Sequence, residues 1–247
     1  LKPIAQPTFI CHLVALEQWR MNKQLQKDII QWDTASWSKA LRLWDKEVDW
    51  KNVKTGLELG GREGGLALWL ALKGVQTVCS DLMDTEATAS KLHEKHKVTH
   101  LITYQDIDAT DIPYENHFDV IVFKSIIGGI GRNSNIAPQR EAFNQMHKAL
   151  KPGGKLLFAE NLIASPVHQR LRSKYVTWGD SWRYVSIPEM NDFLSIFSSH
   201  RFETTGFLGA LGRSESQRKT LAKFDNLLFN RVVPDNWNYI CYGVAVK

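Results

Sequence analysis

Cysteine is scarce in this chain. Cys11, Cys79 and Cys241 are the only three among 247 residues, and their wide spacing fits no metal-ligand pattern. So few thiols point to a reducing compartment, and the chain is read as cytoplasmic. Long apolar runs are also missing. None approaches the roughly 20 residues a helix needs to cross a bilayer. The first residue is Leu1 rather than Met, and the mildly apolar residues 8–17 do not resemble a basic leader with a cleavage site. No dense Lys/Arg block accompanies the formal charge of +5; basic residues are scattered, with one looser group at Arg170, Arg172, Lys174 and Arg183. That argues against a nucleic-acid partner and leaves attraction to an anionic substrate or membrane surface open. No repeat, low-complexity tract or flexible linker is visible. His, Cys, Asp and Glu show no metal spacing, and Asp106, Asp108 and Asp111 are read as one turn, so no metal site is expected.

What is present is a hydrophobic fraction of 43%, enough to fill a sizeable core. Five of the nine tryptophans, Trp19, Trp32, Trp37, Trp44 and Trp50, precede residue 55. Residues 13–50 read as helical, with Leu13, Leu16, Trp19, Met21 and Leu25 at helical spacing. Thr34 or Ser36 is the expected cap of a second helix holding Trp37, Leu41 and Trp44. These aromatics serve either helix-to-core packing or a lid over a ligand pocket. Residues 1–50 are accordingly set apart as an N-terminal helical cap region, and 51–247 as the main domain.

From Thr55 the pattern alternates. Thr55–Leu59, Gln76–Asp81, Leu101–Tyr104, Phe118–Phe123 and Lys155–Glu160 read as strands. Leu66–Lys73, Glu86–His96 and Pro138–Leu150 read as the helices between them. An irregular polar, basic and aromatic insertion covers about 161–187. A helix from near Ile187 to Phe197, a strand at Arg201–Phe207, a helix at Glu215–Phe229 and a last strand at Tyr239–Val246 follow. Such alternation implies a mostly parallel sheet with helices on both faces, which binds ligands beyond the carboxyl ends of its strands.

The most informative stretch is Glu58-Leu59-Gly60-Gly61-Arg62-Glu63-Gly64-Gly65, a strand end running into a glycine-crowded turn and an apolar helix. The spacing departs from the Gly-x-Gly-x-x-Gly turn that cradles a pyrophosphate, and Glu58 would repel a diphosphate. A dinucleotide oxidoreductase is therefore disfavoured; Glu58 suits a ligand carrying positive charge.

These residues resemble the class I S-adenosylmethionine-dependent methyltransferases. Arg62 stands where that family commonly has its middle glycine, which narrows the turn or adds a charge beside the cofactor. Later features run in the family's order: Asp81 ending the second strand, Asp108-Ala109 followed by Ile112-Pro113-Tyr114, Phe118-Asp119 opening the fourth strand, and Leu150-Lys151-Pro152-Gly153-Gly154-Lys155-Leu156 before the fifth. The resemblance implies an α/β, Rossmann-like fold: a seven-stranded, mostly parallel sheet with helices on both faces and one antiparallel C-terminal strand. It implies S-adenosyl-L-methionine as cofactor, held by Glu58, Gly60, Gly61, Arg62 and Gly64, by Asp81 with Leu82 at the ribose, by Asp108 and Ala109 at the adenine, and by Lys124 and Ser125 near the end of strand four. Asp81 has a bland alternative as a helix cap, and Asp108 as a partner of turn amides.

Methyl transfer needs alignment and exclusion of water, and a base only for some acceptors. The candidate bases are His168, Asp180 and Glu160. Arg170, Arg172 and Arg183 suit a carboxylate or phosphate, while Tyr175, Trp178, Trp182 and Tyr184 suit a ring or sugar. A basic amphipathic surface element packed by its aromatics explains the same residues. The expected function is methyl transfer to a small-molecule acceptor, anionic or aromatic, at a hydroxyl oxygen. The alternatives are an RNA or protein methyltransferase and a non-catalytic S-adenosylmethionine-binding regulator.

Overall fold

The computed structural model describes residues 22–175, 182–212 and 214–247. Strands β1 (Thr55–Leu59), β2 (Gln76–Asp81), β3 (Ile102–Asp106), β4 (Phe118–Lys124), β5 (Leu150–Asn161), β6 (Ser199–Thr205) and β7 (Ile240–Val246) form one sheet of order β3-β2-β1-β4-β5-β7-β6. Pairing is parallel from β3 across to β5, and β7 runs antiparallel to both β5 and β6. The expected seven-stranded, mostly parallel sheet with one antiparallel C-terminal strand is therefore the fold. Strand order reverses between β1 and β4, which opens a crevice at their carboxyl ends.

Parallel strands need crossover connections, and helices supply most of them. The helices are α1 (Lys23–Ile30), α2 (Thr34–Glu47), α3 (Gly65–Leu72), α4 (Thr85–Lys95), α5 (Ile127–Ile130), α6 (Ala137–Ala149), α7 (Pro166–Tyr175), α8 (Ile187–Leu194), α9 (Glu215–Phe224) and α10 (Asn230–Val232). Among the described residues, none is long and apolar enough to cross a membrane.

Period-two alternation sorts each central strand between two apolar layers. Val120 and Val122 of β4, Leu157 and Ala159 of β5, and Ile240, Tyr242 and Val244 of β7 face α1, α2 and α3. Leu57, Leu59, Ile121, Phe123, Leu156, Phe158 and Cys241 face α6 and α8 on the other side. Lys124 has the parity of Val120 and Val122, so β4 delivers its side chain to the layer of the N-terminal helices.

That layer is three elements deep. In α3, Leu66, Ala67, Leu68, Trp69, Leu70 and Ala71 are all buried. A helix apolar on every side must be covered on every side. The sheet covers one flank; α1 and α2 cover the other. Gly65 makes this possible, because a Cβ there would lie 2.1 Å from the carbonyl oxygen of Ile29 at the end of α1. Trp44 and Trp37 are buried in the same layer, and Trp44 donates through Nε1 to the carbonyl of Gly243 at 2.9 Å. Trp69 meets Trp44 and Trp50, with ring centroids 5.6 and 5.0 Å away. Core packing thus accounts for Trp37 and Trp44, while Trp32 has a different position, described below. Trp19 lies outside the described residues.

Several boundaries differ from the sequence expectation. Neither Thr34 nor Ser36 caps α2. Asp33 precedes the helix in a left-handed conformation, φ 44°, and both expected caps sit inside it. The turn Lys151–Gly154 belongs to β5, where it bulges between the pairs Phe118–Leu150 and Val120–Lys155. The expected single helix over Glu215–Phe229 stops at Phe224 and continues as a π-helical turn, Asp225–Phe229. Buried Asp225, at that junction, accepts from the amides of Phe207, Leu208 and Gly209. The insertion after β5 contains a regular helix, α7.

Candidate active site

The glycine turn is held from three directions. Glu58 ends β1 on the α3 side, fully enclosed, and accepts from the amides of Leu66 and Ala67 at 2.9 and 2.8 Å. It thereby satisfies two of the orphan donors at the start of α3. Gly61 packs against this carboxylate: a Cβ there would stand 2.7 Å from Oε2. From β2, the Ser80 carbonyl accepts from the amide of Gly61, and Asp81 Oδ2 accepts from the amide of Arg62 at 2.8 Å. From below, His93 Nε2 bonds the Gly64 carbonyl at 2.8 Å while Nδ1 meets the Tyr104 hydroxyl at 2.9 Å.

Arg62 has φ 49°, the left-handed conformation that glycine would adopt without cost. The departure at this position therefore preserves the shape of the turn and adds a cation to it. Burial pushes the Glu58 carboxyl up to about 7 against the pull of its backbone hydrogen bonds.

A cavity of about 780 Å³ opens beside this turn. Glu58, Gly60, Gly61, Arg62 and Leu66 line it from β1 and α3; Lys124 and Ser125 line it from the end of β4. The opposite side is assembled from Gln31, Trp32 and Asp33 between α1 and α2, Arg172 of α7, Trp182, Tyr184, Arg218 and Tyr239. Lys124 extends over the indoles of Trp32 and Trp37, its Nζ 4.4 and 5.1 Å from their ring centroids. Burial, reinforced by Arg62, draws its ammonium down to about 7, with Glu58, Asp33 and Glu160 opposing. Tyr239 donates its hydroxyl to the Asp33 carboxylate. Burial raises both the Asp33 carboxyl and the Tyr239 phenol.

Of the candidate cofactor residues, Glu58, Gly60, Gly61, Arg62, Lys124 and Ser125 therefore meet in one cavity wall. Gly64 lies away from that wall, buried on His93. Asp81, Leu82, Asp108 and Ala109 stand farther along the same strand ends. The Asp81 carbonyl accepts from the Ile107 amide at 2.8 Å, which brings the end of β3, and Asp108 after it, alongside. Asp81 does not cap α4; the carboxylate of Asp106 accepts from Thr85 instead. Asp108 holds the amide and hydroxyl of Thr110 through Oδ1, as the turn reading anticipates.

The candidate bases fare differently. His168 is buried, with Nδ1 on Ser165 Oγ at 2.6 Å and Nε2 on the Phe207 carbonyl at 2.7 Å, so both ring nitrogens are occupied outside the cavity wall. Glu160 is buried and turned to the α5 side, where it accepts from Ile126, Ile127 and Asn161 amides. Burial pushes its carboxyl up to about 7 as well. Both side chains are thus hydrogen-bonded into the framework, and neither lines the cavity. Asp180 and Trp178 lie outside the described residues.

Of the three arginines proposed for an acceptor, only Arg172 lines the cavity. Its guanidinium rests 3.9 Å from the Tyr184 ring centroid and donates to the carbonyls of Leu162 and Ile163. Arg183 is instead paired with Glu189 and Gln139. Arg170 and Tyr175 are exposed on α7.

Sequence reasoning did not single out Asp33, Arg132, Arg218 or Tyr239 as wall residues. No motif links such distant positions. His93 carries a readable signal: Thr85, Ala89 and His93 recur every fourth position and are the buried residues of α4.

Comparison with known proteins gives a consistent picture. A family model described as a methyltransferase domain matches residues 22–207. The ubiquinone/menaquinone biosynthesis C-methyltransferase UbiE of Shewanella frigidimarina is 31% identical over 145 residues, covering 56% of this chain and 53% of that protein. Its namesake in Shewanella baltica is 30% identical over the same length and shares. The chain thus spans about half the length of the curated relatives it matches. Phosphoethanolamine N-methyltransferase 2 of Haemonchus contortus superposes with a TM-score of 0.60 at 19% identity, over 85% of this chain and 52% of that one. A putative methyltransferase of Bacillus halodurans gives 0.59 at 16% identity, over 85% and 99% of the two chains. At these identities the structural likeness is one of fold.

Proposed function

Because the chain belongs to the class I S-adenosylmethionine-dependent methyltransferase family, we propose that it transfers a methyl group from that cofactor to a small-molecule acceptor, at a hydroxyl oxygen. The observation that carries the reading is the cavity itself. It joins the glycine turn and Glu58 directly to an aromatic and basic wall of Trp32, Arg172, Trp182 and Tyr184. A bounded cavity of this kind suits a discrete acceptor with a ring or an anionic group better than a polymer.

The residues fit the family's cofactor. Gly60 and Gly61 line the cavity as bare backbone, so a ligand can lie close against the turn. Glu58 supplies negative charge for a cationic ligand. Asp81 and Asp108, each with a carboxylate at the strand ends, would hold the ribose hydroxyls and the adenine amine. When bound, the cofactor supplies a methyl group already activated on a cationic sulfur. The chain's own part is to orient the acceptor against Trp182 and Tyr184, and to exclude water with the indole of Trp32.

Isothermal titration with S-adenosylmethionine tests the first half of the reading: saturable binding is expected, and a folded sample that binds none overturns it. Radiolabelled methyl transfer to a panel of hydroxylated aromatic, carboxylated and phosphorylated acceptors tests the second. Transfer to carbon is the second reading, favoured by the 31% identity to a protein named as a C-methyltransferase. Label fixed on ring carbon, with none on oxygen, would select it.

A further inference from the structure

We propose that Lys124 surrenders its proton when the cationic cofactor occupies the glycine turn, and that the resulting neutral amine is the base that receives the acceptor's proton. The proposal rests on the reading above and deepens it.

Position carries the first step. Phe123 pairs with Leu59 across β4 and β1, so Lys124, the next residue, stands beside Gly60 at the start of the glycine turn. It lines the cavity together with Gly60, Gly61 and Arg62. Its ammonium rests on the faces of Trp32 and Trp37 and makes no hydrogen bond or ion pair among the described residues. A lysine ammonium has three donors to satisfy, and indole faces are a weak substitute for a carboxylate.

The charges around it are nearly balanced. Arg62 faces it from the glycine turn, Glu58 from β1, and Asp33 from between α1 and α2; Glu160 of β5 acts from the other face of the sheet. Farther round the wall stand Arg132, Arg172 and Arg218, with the phenols of Tyr184 and Tyr239. The tryptophans favour the charged form, while burial draws the midpoint down to about 7. A second positive charge in the same enclosure then tips Lys124 to its neutral form.

The second step follows from charge balance. As the acceptor oxygen forms its bond to the methyl carbon, the methyl–sulfur bond breaks and its electron pair stays on sulfur. The proton of the acceptor hydroxyl passes to Nζ of Lys124. One positive charge is thereby lost at sulfur and one gained at nitrogen, so the enclosure keeps the same net charge throughout.

The test needs no knowledge of the acceptor. Wild-type and Lys124→Met proteins are titrated calorimetrically with S-adenosylmethionine and with S-adenosylhomocysteine, between about pH 6 and 8, in buffers of different ionisation enthalpy. The second ligand keeps the amino, carboxylate and adenosyl groups but has a neutral sulfur, so the comparison isolates proton release driven by the sulfonium charge, to which both Lys124 and Glu58 contribute. Wild-type protein is expected to release a proton on binding S-adenosylmethionine below about pH 7. Its affinity then climbs by up to about tenfold per pH unit beyond any change seen with S-adenosylhomocysteine. Lys124→Met, which keeps Glu58, is expected to lose most of that difference, and a difference retained in full assigns the proton to Glu58 and overturns the proposal. Equal proton release with both ligands overturns the proposal, whereas failure to bind either ligand overturns the family reading beneath it. Lys124→Arg provides a second variant that holds its charge: it is expected to favour the neutral-sulfur ligand and to release no more protons than Lys124→Met, and release at the wild-type level would also refute the proposal.

Discussion

The two walls of the cavity are built in opposite ways. The wall of Glu58, Gly60, Gly61, Arg62 and Leu66 is one continuous stretch, shaped by a strand end, a turn and the first residues of a helix. The facing wall takes Trp32 and Asp33, Arg172, Trp182 and Tyr184, Arg218 and Tyr239 from separated segments. Hydrogen bonds spanning 8 to 29 residues hold the first wall: Glu58 to α3, Asp81 to Arg62, His93 to Gly64. Long-range packing holds the second, through contacts such as Tyr239 to Asp33. The first wall should therefore survive changes that dismantle the second.

The largest effect expected from a substitution that sharpens this contrast is at Trp69, in the layer on which the N-terminal helices rest. Trp69→Ala empties the space between Trp44 and Trp50 and should cost about 3–5 kcal/mol in urea denaturation. Thermal or proteolytic probes of Trp32 should then report loosening before any change reaches the Glu58 turn. Next comes Asp81→Ala, which removes a partner of the Arg62 amide and the proposed ribose acceptor together. Cofactor affinity should fall about 100-fold by calorimetry, roughly 2.7 kcal/mol, with stability nearly unchanged. An unaltered affinity would place the ribose elsewhere.

The paired carboxylates Glu58 and Glu160 allow a finer cut. Each is buried, each anchors backbone amides, and each has its carboxyl raised from 4.5 to about 7, chiefly by burial. A raised folded value means that the folded chain holds the proton longer than the unfolded one. The stability associated with it is complete below about pH 4.5 and fades as pH climbs through about 7. Glu160→Gln should remove on the order of 3 kcal/mol of that pH dependence, measured as denaturation midpoints across the interval, while leaving cofactor affinity alone. Glu58→Gln should flatten the same slope but weaken cofactor binding, because only Glu58 lines the cavity. The smallest effect is expected at the turn itself. Arg62→Gly relieves the left-handed strain but gives the unfolded chain more freedom, so melting should shift by less than about 1 kcal/mol equivalent.

The same contrast explains what could be read from the residues alone. Strands β1 and β2 match their expected limits, Thr55–Leu59 and Gln76–Asp81, because short apolar runs end there at an acid and a turn. The Glu58 turn was legible for the same reason: its chemistry is contiguous. Asp33 was not, because its role depends on a left-handed residue before α2 and on Tyr239, far along the chain. His168 and Glu160 looked like bases because ionisable side chains are chemically suggestive in any context. Their three-dimensional neighbours, a serine hydroxyl and a backbone carbonyl for one and three amides for the other, tie them to the framework. The family resemblance implies a cofactor role for Lys124 at the end of β4, but the two indoles beneath its ammonium belong to another part of the sequence.

The missing side-chain atom at Gly65 has a practical consequence for anyone trimming this protein. Because Ile29 nestles into that gap, the upstream segment is masonry shared with the helix after the glycine turn rather than a detachable ornament. A shortened version starting near Trp50 would present the oily flank of Leu66–Ala71 to water, and such a product belongs in inclusion bodies rather than in an assay.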